Sequence, residues 1–456
     1  MHSIQRRFVV FLAGVVCLAR VRGFGKGRAR ACALLLLLAC LVVVAEVASQ
    51  DATVPGGAPS GAAAGGRQEA PPASAYAGDE ACAQCHRKES AFYAKTPHAL
   101  DSAMPDATTV KGTFGPGHNV LRTTNPNIIV AMTQEPNGYF QSGINMADPN
   151  HPTGEAERMD IVVGSGRHGQ TYLYWSGDQL YELPASYWTW DHEWVMSPGF
   201  PADSVHFERP IVPRCLECHA SYFTWLNPPA NRFKKDSIVL GIGCERCHGP
   251  GAKHVALERS STPPTAGSKD VAIVNPARLT HDRQLDLCSL CHAGAVEPIG
   301  APMRFLPGDK ILDYLHIPPV KPGAPVDVHG NQVGALESSK CFTSGKMTCS
   351  TCHDVHQVQE NADSFSSHCL TCHSVKACGR YKTLGENIRT KCVDCHMPVQ
   401  DSAKITPLAG ERVLHALLRA HRIAIYPEES EQVERSLRDK LSARGQGVRK
   451  SSETGK

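Results

Sequence analysis

Apolar residues cluster first in two runs at the start of the chain, FVVFLAGVVCLA and ALLLLLACLVVVA, separated by the basic segment RVRGFGKGRARA. The second run is about 13 residues long, short of the ~20 apolar residues a transmembrane helix needs. It leads into EVASQ, where Val47 and Ser49 suit the small-residue rule for cleavage, so residues 1–49 read as a signal peptide. LLAC, ending at Cys40, offers the alternative of a lipoprotein site, although the LVVV that follows it argues against one. Either an uncleaved leader or a lipidated Cys40 would associate the protein with a membrane. Residues 50–75 are Ala/Gly/Pro-rich without an apolar period and read as a flexible linker.

A period of two appears between residues 110 and 212. NIIVAMTQEPNGYFQSG places an Asn-Gly turn between apolar runs, and TYLYWSGDQLYELP alternates aromatics around Gly177 and Asp178, so this stretch is predicted to be β-rich. All five tryptophans, Trp175, Trp188, Trp190, Trp194 and Trp225, fall in or just after it, where packing is the expected role. Residues 427–456, beginning PEESEQVERSLRDK, are charged all round and predict a solvated helix fading into a disordered tail.

The remaining segments follow no long period, and cysteine supplies their pattern. C-x-x-C-H occurs at Cys82/Cys85/His86, Cys215/Cys218/His219, Cys244/Cys247/His248, Cys288/Cys291/His292, Cys349/Cys352/His353, Cys369/Cys372/His373 and Cys392/Cys395/His396. In this pattern two thiols add to the haem vinyl groups and the adjacent histidine binds the iron. Zinc ribbons also use C-x-x-C pairs but do not require the histidine, and seven such histidines would arise by chance roughly once in a billion. Seven covalently attached c-type haems are therefore expected. Fourteen of the 19 cysteines are used; Cys17, Cys32 and Cys40 lie in the leader, and Cys341 and Cys378 are left to form a disulfide.

Haem changes the fold expectation. The macrocycles supply apolar surface that a side-chain core otherwise would, so short helices and irregular loops suffice around them. The fold class expected is a mainly α and irregular multihaem cytochrome c fold with a haem-packed core and an inserted β-rich region. Its segments are a first haem segment at 76–109, the β-rich insert at 110–212 and a haem domain with six motifs at 213–426.

Each iron has a second axial position. Fourteen histidines lie outside the motifs and beyond residue 50, enough to fill all seven. His356 follows His353 by three residues, a reach of at most ~10 Å, too short to pass round the ring to the opposite face of its own haem. His254 follows His248 by six residues, and the intervening Gly249-Pro250-Gly251 turn removes much of its ~20 Å reach. Both are expected to cross to a neighbouring haem.

The stretches YAGDEACAQCH with FYAKTPHA, CERCHGPGAKH, CSTCHDVH, and CVDCHMP with a later LRAHRI resemble multihaem cytochromes of the cytochrome c-554 type, which are related to pentahaem nitrite reductases and hydroxylamine oxidoreductases. The resemblance covers most of residues 76–425, and the β-rich insert is not part of the small tetrahaem members. It implies distal ligation by His98, His254, His356 and His421. His118 and His329 join them on local character, being flanked by glycine and loop residues, and His168 and His415 contend for a seventh place. The C-x-x-C-K motif of the related nitrite reductases does not occur here.

The formal charge of +3 misleads, because the first 49 residues hold seven basic residues against one acidic. Beyond them 40 basic residues face 43 acidic, a net −3, and each oxidised haem adds roughly −1 through its propionates. Nucleic-acid binding has no support in such a balance. The expected function is an extracytoplasmic, periplasmic or secreted, electron-transfer cytochrome with mostly bis-His haems and redox proteins as partners. The alternative is an oxidoreductase acting on a small nitrogen or sulfur compound at one open haem, with Arg167, His168 and Tyr172 as polar candidates beside it.

Overall fold

The computed structural model describes residues 66–67, 69–263, 272–319, 321, 330–402 and 404–453, with side chains described up to 442. The leader, Cys40, residues 50–65 and 68 of the linker and His329 lie outside the described residues; the rest of the linker is not the flexible tether expected, because Arg67 N–H donates to the Tyr314 hydroxyl at 2.8 Å, Ala70 packs against buried apolar residues and Ala73–Ala75 form a 3-10 turn. The described chain belongs to a single contact unit beginning at Gly65.

Two antiparallel sheets form where the alternation of β-branched and aromatic residues is strongest. The smaller contains β2 (Val120–Arg122), β3 (Ile128–Glu135), β4 (Gly138–Asn145) and β5 (Thr153–Arg158), in that order. Its central hairpin pairs Glu135 with Gly138, so Pro136 and Asn137 make the turn and Gly138 takes a φ of 140° that a side chain would resist. The larger sheet has nine strands. Its main path runs from β1 (Ser102–Ala103) through β6 (Ile161–Val163), β7 (Gly169–Ser176) and β8 (Gln179–Glu182) to the ladder of Trp225–Leu226 with Arg232–Phe233. The β7–β8 hairpin closes through Gly177 and Asp178, with Gly177 at φ 61° in the first central position, as a tight two-residue turn requires.

β7 shows how this sheet is placed. Tyr172 and Tyr174 point to one face and pack with Val130, Met132, Tyr187, Trp194 and Phe207, joining the larger sheet to the smaller. Leu173 points to the other face, where Ile161, Val163 and Leu180 meet Leu216 and Ala220, in and just after the helix Pro213–His219. One face of the sheet is thus a platform for the second C-x-x-C-H motif. Gln141, fully buried, ties the two sheets: its amide nitrogen donates to the Ala185 carbonyl at 2.6 Å and its oxygen accepts the Ala185 N–H at 2.8 Å.

Three expectations are corrected. The β structure does not stop at residue 212, since Trp225–Leu226 and Arg232–Phe233 complete the larger sheet. Nor is the fold mainly α: strands span much of residues 102–240, and a ladder of Val399–Asp401 with Leu417–Arg419 recurs among the later helices. Strands of two or three residues are too short to leave a period in the sequence. The C-terminal helix, Pro427–Glu453, is not solvated all round. Glu434 is 7% exposed and paired with Arg380 at 2.7 Å, and Leu437 packs on Val375, Leu384 and Ile388. The helix persists to Glu453, through much of the predicted disordered tail.

Candidate functional site

Residues three apart in a helix share a face, so C-x-x-C on one helical turn presents both thiols together, with the histidine next in line. Four of the motifs are built in this way, on the helices Pro213–His219, Cys244–His248, His281–His292 and Cys392–His396. In the fifth motif, Cys349 begins a short 3-10 turn anchored by a Thr348/Thr351 capping box.

The first and sixth motifs depart from this pattern. Cys85 and Cys372 are exposed, whereas the other motif cysteines are half-buried. The cause is local. Helix Asp79–Ala83 ends before Cys85, and helix Ala362–Cys369 ends at the first thiol of its motif, before Cys372. In each the second thiol therefore lies on a turn. The spacing within each motif says nothing of where a helix stops.

The histidines show the main regularity. His86 and His254 have ring centroids 6.5 Å apart and planes inclined by 27°; for His248 and His356 the values are 6.1 Å and 30°, for His353 and His421 6.3 Å and 19°. His292 and His98 lie 6.1 Å apart at 75°. Two metal–nitrogen bonds of about 2.0–2.1 Å in line with two imidazoles would place the centroids about 6.3 Å apart. Each pair joins a motif histidine to one from a segment distant in sequence: His254, on the helix Ala252–Glu258, faces the first motif rather than its own, and His356 the third rather than its own.

Burial favours the neutral form, the one that binds metal, in five of these rings. It lowers the pKa of His98, His248, His292 and His353, and pushes His421 down to about 4. His219 moves the other way: burial alone would lower its pKa, but the hydrogen bond and charge of Asp101, 2.8 Å from Nδ1, raise it.

Among the described residues no histidine stands at the pair spacing from His219, His373 or His396. His118 is exposed on the loop before β2 and faces no motif histidine, contrary to its expected ligand role. His415 meets the Ser402 carbonyl, and His168 packs on Trp190. The Arg167–His168–Tyr172 site does not assemble either. Tyr172 is fully buried beside Trp194, whereas Arg167 is exposed. Cys341 and Cys378 are both free, so the expected disulfide is corrected; the first interacts with Cys352 and Cys369, the second with Cys395.

Thiol contacts order the motifs in space. Cys82 touches Cys244, Cys218 touches Cys291, Cys288 touches Cys349, and Cys369 touches Cys392. The motifs thereby pair as first with third, second with fourth, fourth with fifth, and sixth with seventh. The donor set fits c-type haem, with vicinal thiols for thioethers and neutral imidazoles for iron. Arg246, 8% exposed with a buried Nε lacking a hydrogen-bond partner among the described residues, is a guanidinium suited to a propionate.

Two supporting residues carried no signal in the sequence. Glu245, between the thiols of the third motif, accepts the N–H groups of Ala77 at 2.7 Å, Gly78 at 2.9 Å and Gly251 at 2.6 Å. Asp101 is the other; it lies 118 residues from the histidine it contacts.

The family model described as cytochrome c554 and c-prime matches residues 201–249, which contain the second and third motifs. No curated protein matches the chain. Two solved structures are similar at 17% identity: the outer cell wall cytochrome OcwA, over 78% of this chain and 81% of that one with a TM-score of 0.48, and the undecaheme cytochrome from the S-layer of Carboxydothermus ferrireducens, over 73% and 52% with a TM-score of 0.36. The repeated motifs and the family match over two of them mark the chain as a multihaem c-type cytochrome.

Proposed function

We propose that the protein is an extracytoplasmic heptahaem cytochrome that passes electrons between redox partner proteins through a row of haems held mostly by paired histidines. The observation that carries this reading is the set of four facing imidazole pairs at 6.1–6.5 Å. Bound haem supplies reversible one-electron chemistry, with paired imidazoles favouring lower potentials than His/Met ligation. The chain's own residues do the rest. The distal histidines close four sites against exogenous ligands, and each reaches out of a segment next to another motif, which draws neighbouring sites together. His254 and His356 lie just after the third and fifth motifs, while His98 and His421 lie beyond the first and the seventh. The apolar leader supports export, and thioether attachment also belongs outside the cytoplasm. No helix among the described residues is long and apolar enough to cross a membrane.

The reading is tested by His254→Ala and His356→Ala. Each variant should retain its full haem mass, lose one low-spin ferric EPR signal and gain one site that binds CO. Unchanged low-spin signals in both variants would overturn it.

A further inference from the structure

The segment from His98 to Ala103 serves two motifs at once. His98 faces His292 of the fourth motif, and three residues on, the Asp101 carboxylate accepts the Nδ1 proton of His219 in the second at 2.8 Å. Main-chain bonds fix this segment on both sides. Asp101 N–H donates to the His98 carbonyl, Gly164 N–H donates to the Asp101 carbonyl, and Ser102 pairs with Val163 across β1 and β6. The Ser102 hydroxyl donates to the carbonyl of His219 itself at 2.5 Å and accepts the Gly241 N–H at 2.9 Å. The carboxylate is therefore held against His219 by the sheet edge rather than by a free loop.

Other motif histidines are treated differently. His248 Nδ1 donates to the Val274 carbonyl at 2.9 Å, and His396 Nδ1 to the Ala424 carbonyl at 2.8 Å. A backbone carbonyl orients the ring and adds no net charge. A carboxylate draws the Nδ1 proton towards itself, makes the far nitrogen a stronger donor and so favours the higher oxidation state of a bound metal. Because the Cys218 thiol touches Cys291, the site that receives the carboxylate adjoins the site that receives His98.

Resting on the reading that each motif holds haem, we propose that Asp101 is a positioning residue that gives His219 imidazolate character and would hold the potential of a second-motif haem below the value a neutral partner at Nδ1 would leave.

Redox titration of the whole holoprotein tests this, with haem number checked by intact mass. In Asp101→Asn, one haem should become easier to reduce by about tenfold or more, which is about 59 mV or more for a one-electron couple, while the others keep their potentials. Asp101→Ser, smaller and also neutral, should move the same haem in the same direction and serves if the first variant does not accumulate. Asp101→Glu, which retains the charge, should restore most of the wild-type value. Ser102→Ala loosens the same His219 carbonyl but leaves the carboxylate, so it should shift nothing. A full haem complement with unchanged potentials in the neutral variants overturns the proposal, as do equal shifts in Ser102→Ala and Asp101→Asn. A wild type lacking haem at Cys215 and Cys218 would instead overturn the reading on which it rests.

Discussion

Glu245→Gln isolates what holds the third motif to its neighbours. The carboxylate is 8% exposed and accepts three backbone N–H groups, from Ala77 and Gly78 beside the first motif and from Gly251 at the start of the helix carrying His254. A glutamine whose oxygen takes the Oε1 position keeps a neutral bond to Ala77 and Gly251, but turns an NH2 group towards the Gly78 N–H. Hydrogen bonds to charged groups contribute about 1.5–3 kcal/mol, and neutral ones about 0.5–1.5 kcal/mol. Gly78 should therefore lose about 1.5–3 kcal/mol of local protection, and Ala77 and Gly251 about 1 kcal/mol each. At about 1.4 kcal/mol per factor of ten, Gly78 should exchange its amide hydrogen roughly ten- to a hundredfold faster, and the other two roughly fivefold faster. Hydrogen exchange resolved by peptide mass spectrometry measures this, with the β3–β4 hairpin as an unaffected reference. Unchanged exchange at Gly78, or equal acceleration in that hairpin, would refute the argument. The His86/His254 pair should also broaden in its low-spin signal, because Gly251 sets where the His254 helix begins.

Gln141→Leu leaves both the Ala185 N–H and carbonyl buried without partners, at about 1–3 kcal/mol each, so the thermal transition of the sheet region should fall by several degrees. A transition within one degree of wild type would show that water or a neighbour replaces the amide. Alkylation of the denatured, unreduced protein should label the peptides bearing both Cys341 and Cys378; label on neither would mean that they pair in solution.

The seven motifs were legible because thioether attachment requires contiguous residues, and no tertiary information is needed to find them. How each motif is built was not: in the first and sixth the second thiol lies past the end of a helix, which the spacing does not record. The two long hairpins were legible as well, since a half-buried strand writes a period of two into residues such as those of β3 and β7. Which motif a histidine turns towards was constrained where the chain is short: six residues and a glycine turn limit His254, and its ring lies 6.5 Å from that of His86 in the first motif. His118 had the same glycine-rich neighbourhood and faces no motif histidine, because local character does not say where a loop points. Asp101 was invisible for a different reason. It meets His219 only through the pairing of β1 with β6, a contact between residues 118 positions apart. The Cys341–Cys378 bridge came from counting leftover thiols, and counting gives no separation in space. Each thiol instead neighbours cysteines of the motifs.

The most direct measurement is EPR of the fully oxidised protein, quantified by spin and set beside intact mass. The account predicts seven haem masses and at least four low-spin ferric haems, one for each facing pair of histidines. Fewer than four low-spin haems in a protein that carries all seven would contradict it, because rings held 6.1–6.5 Å apart would then not be joined through iron.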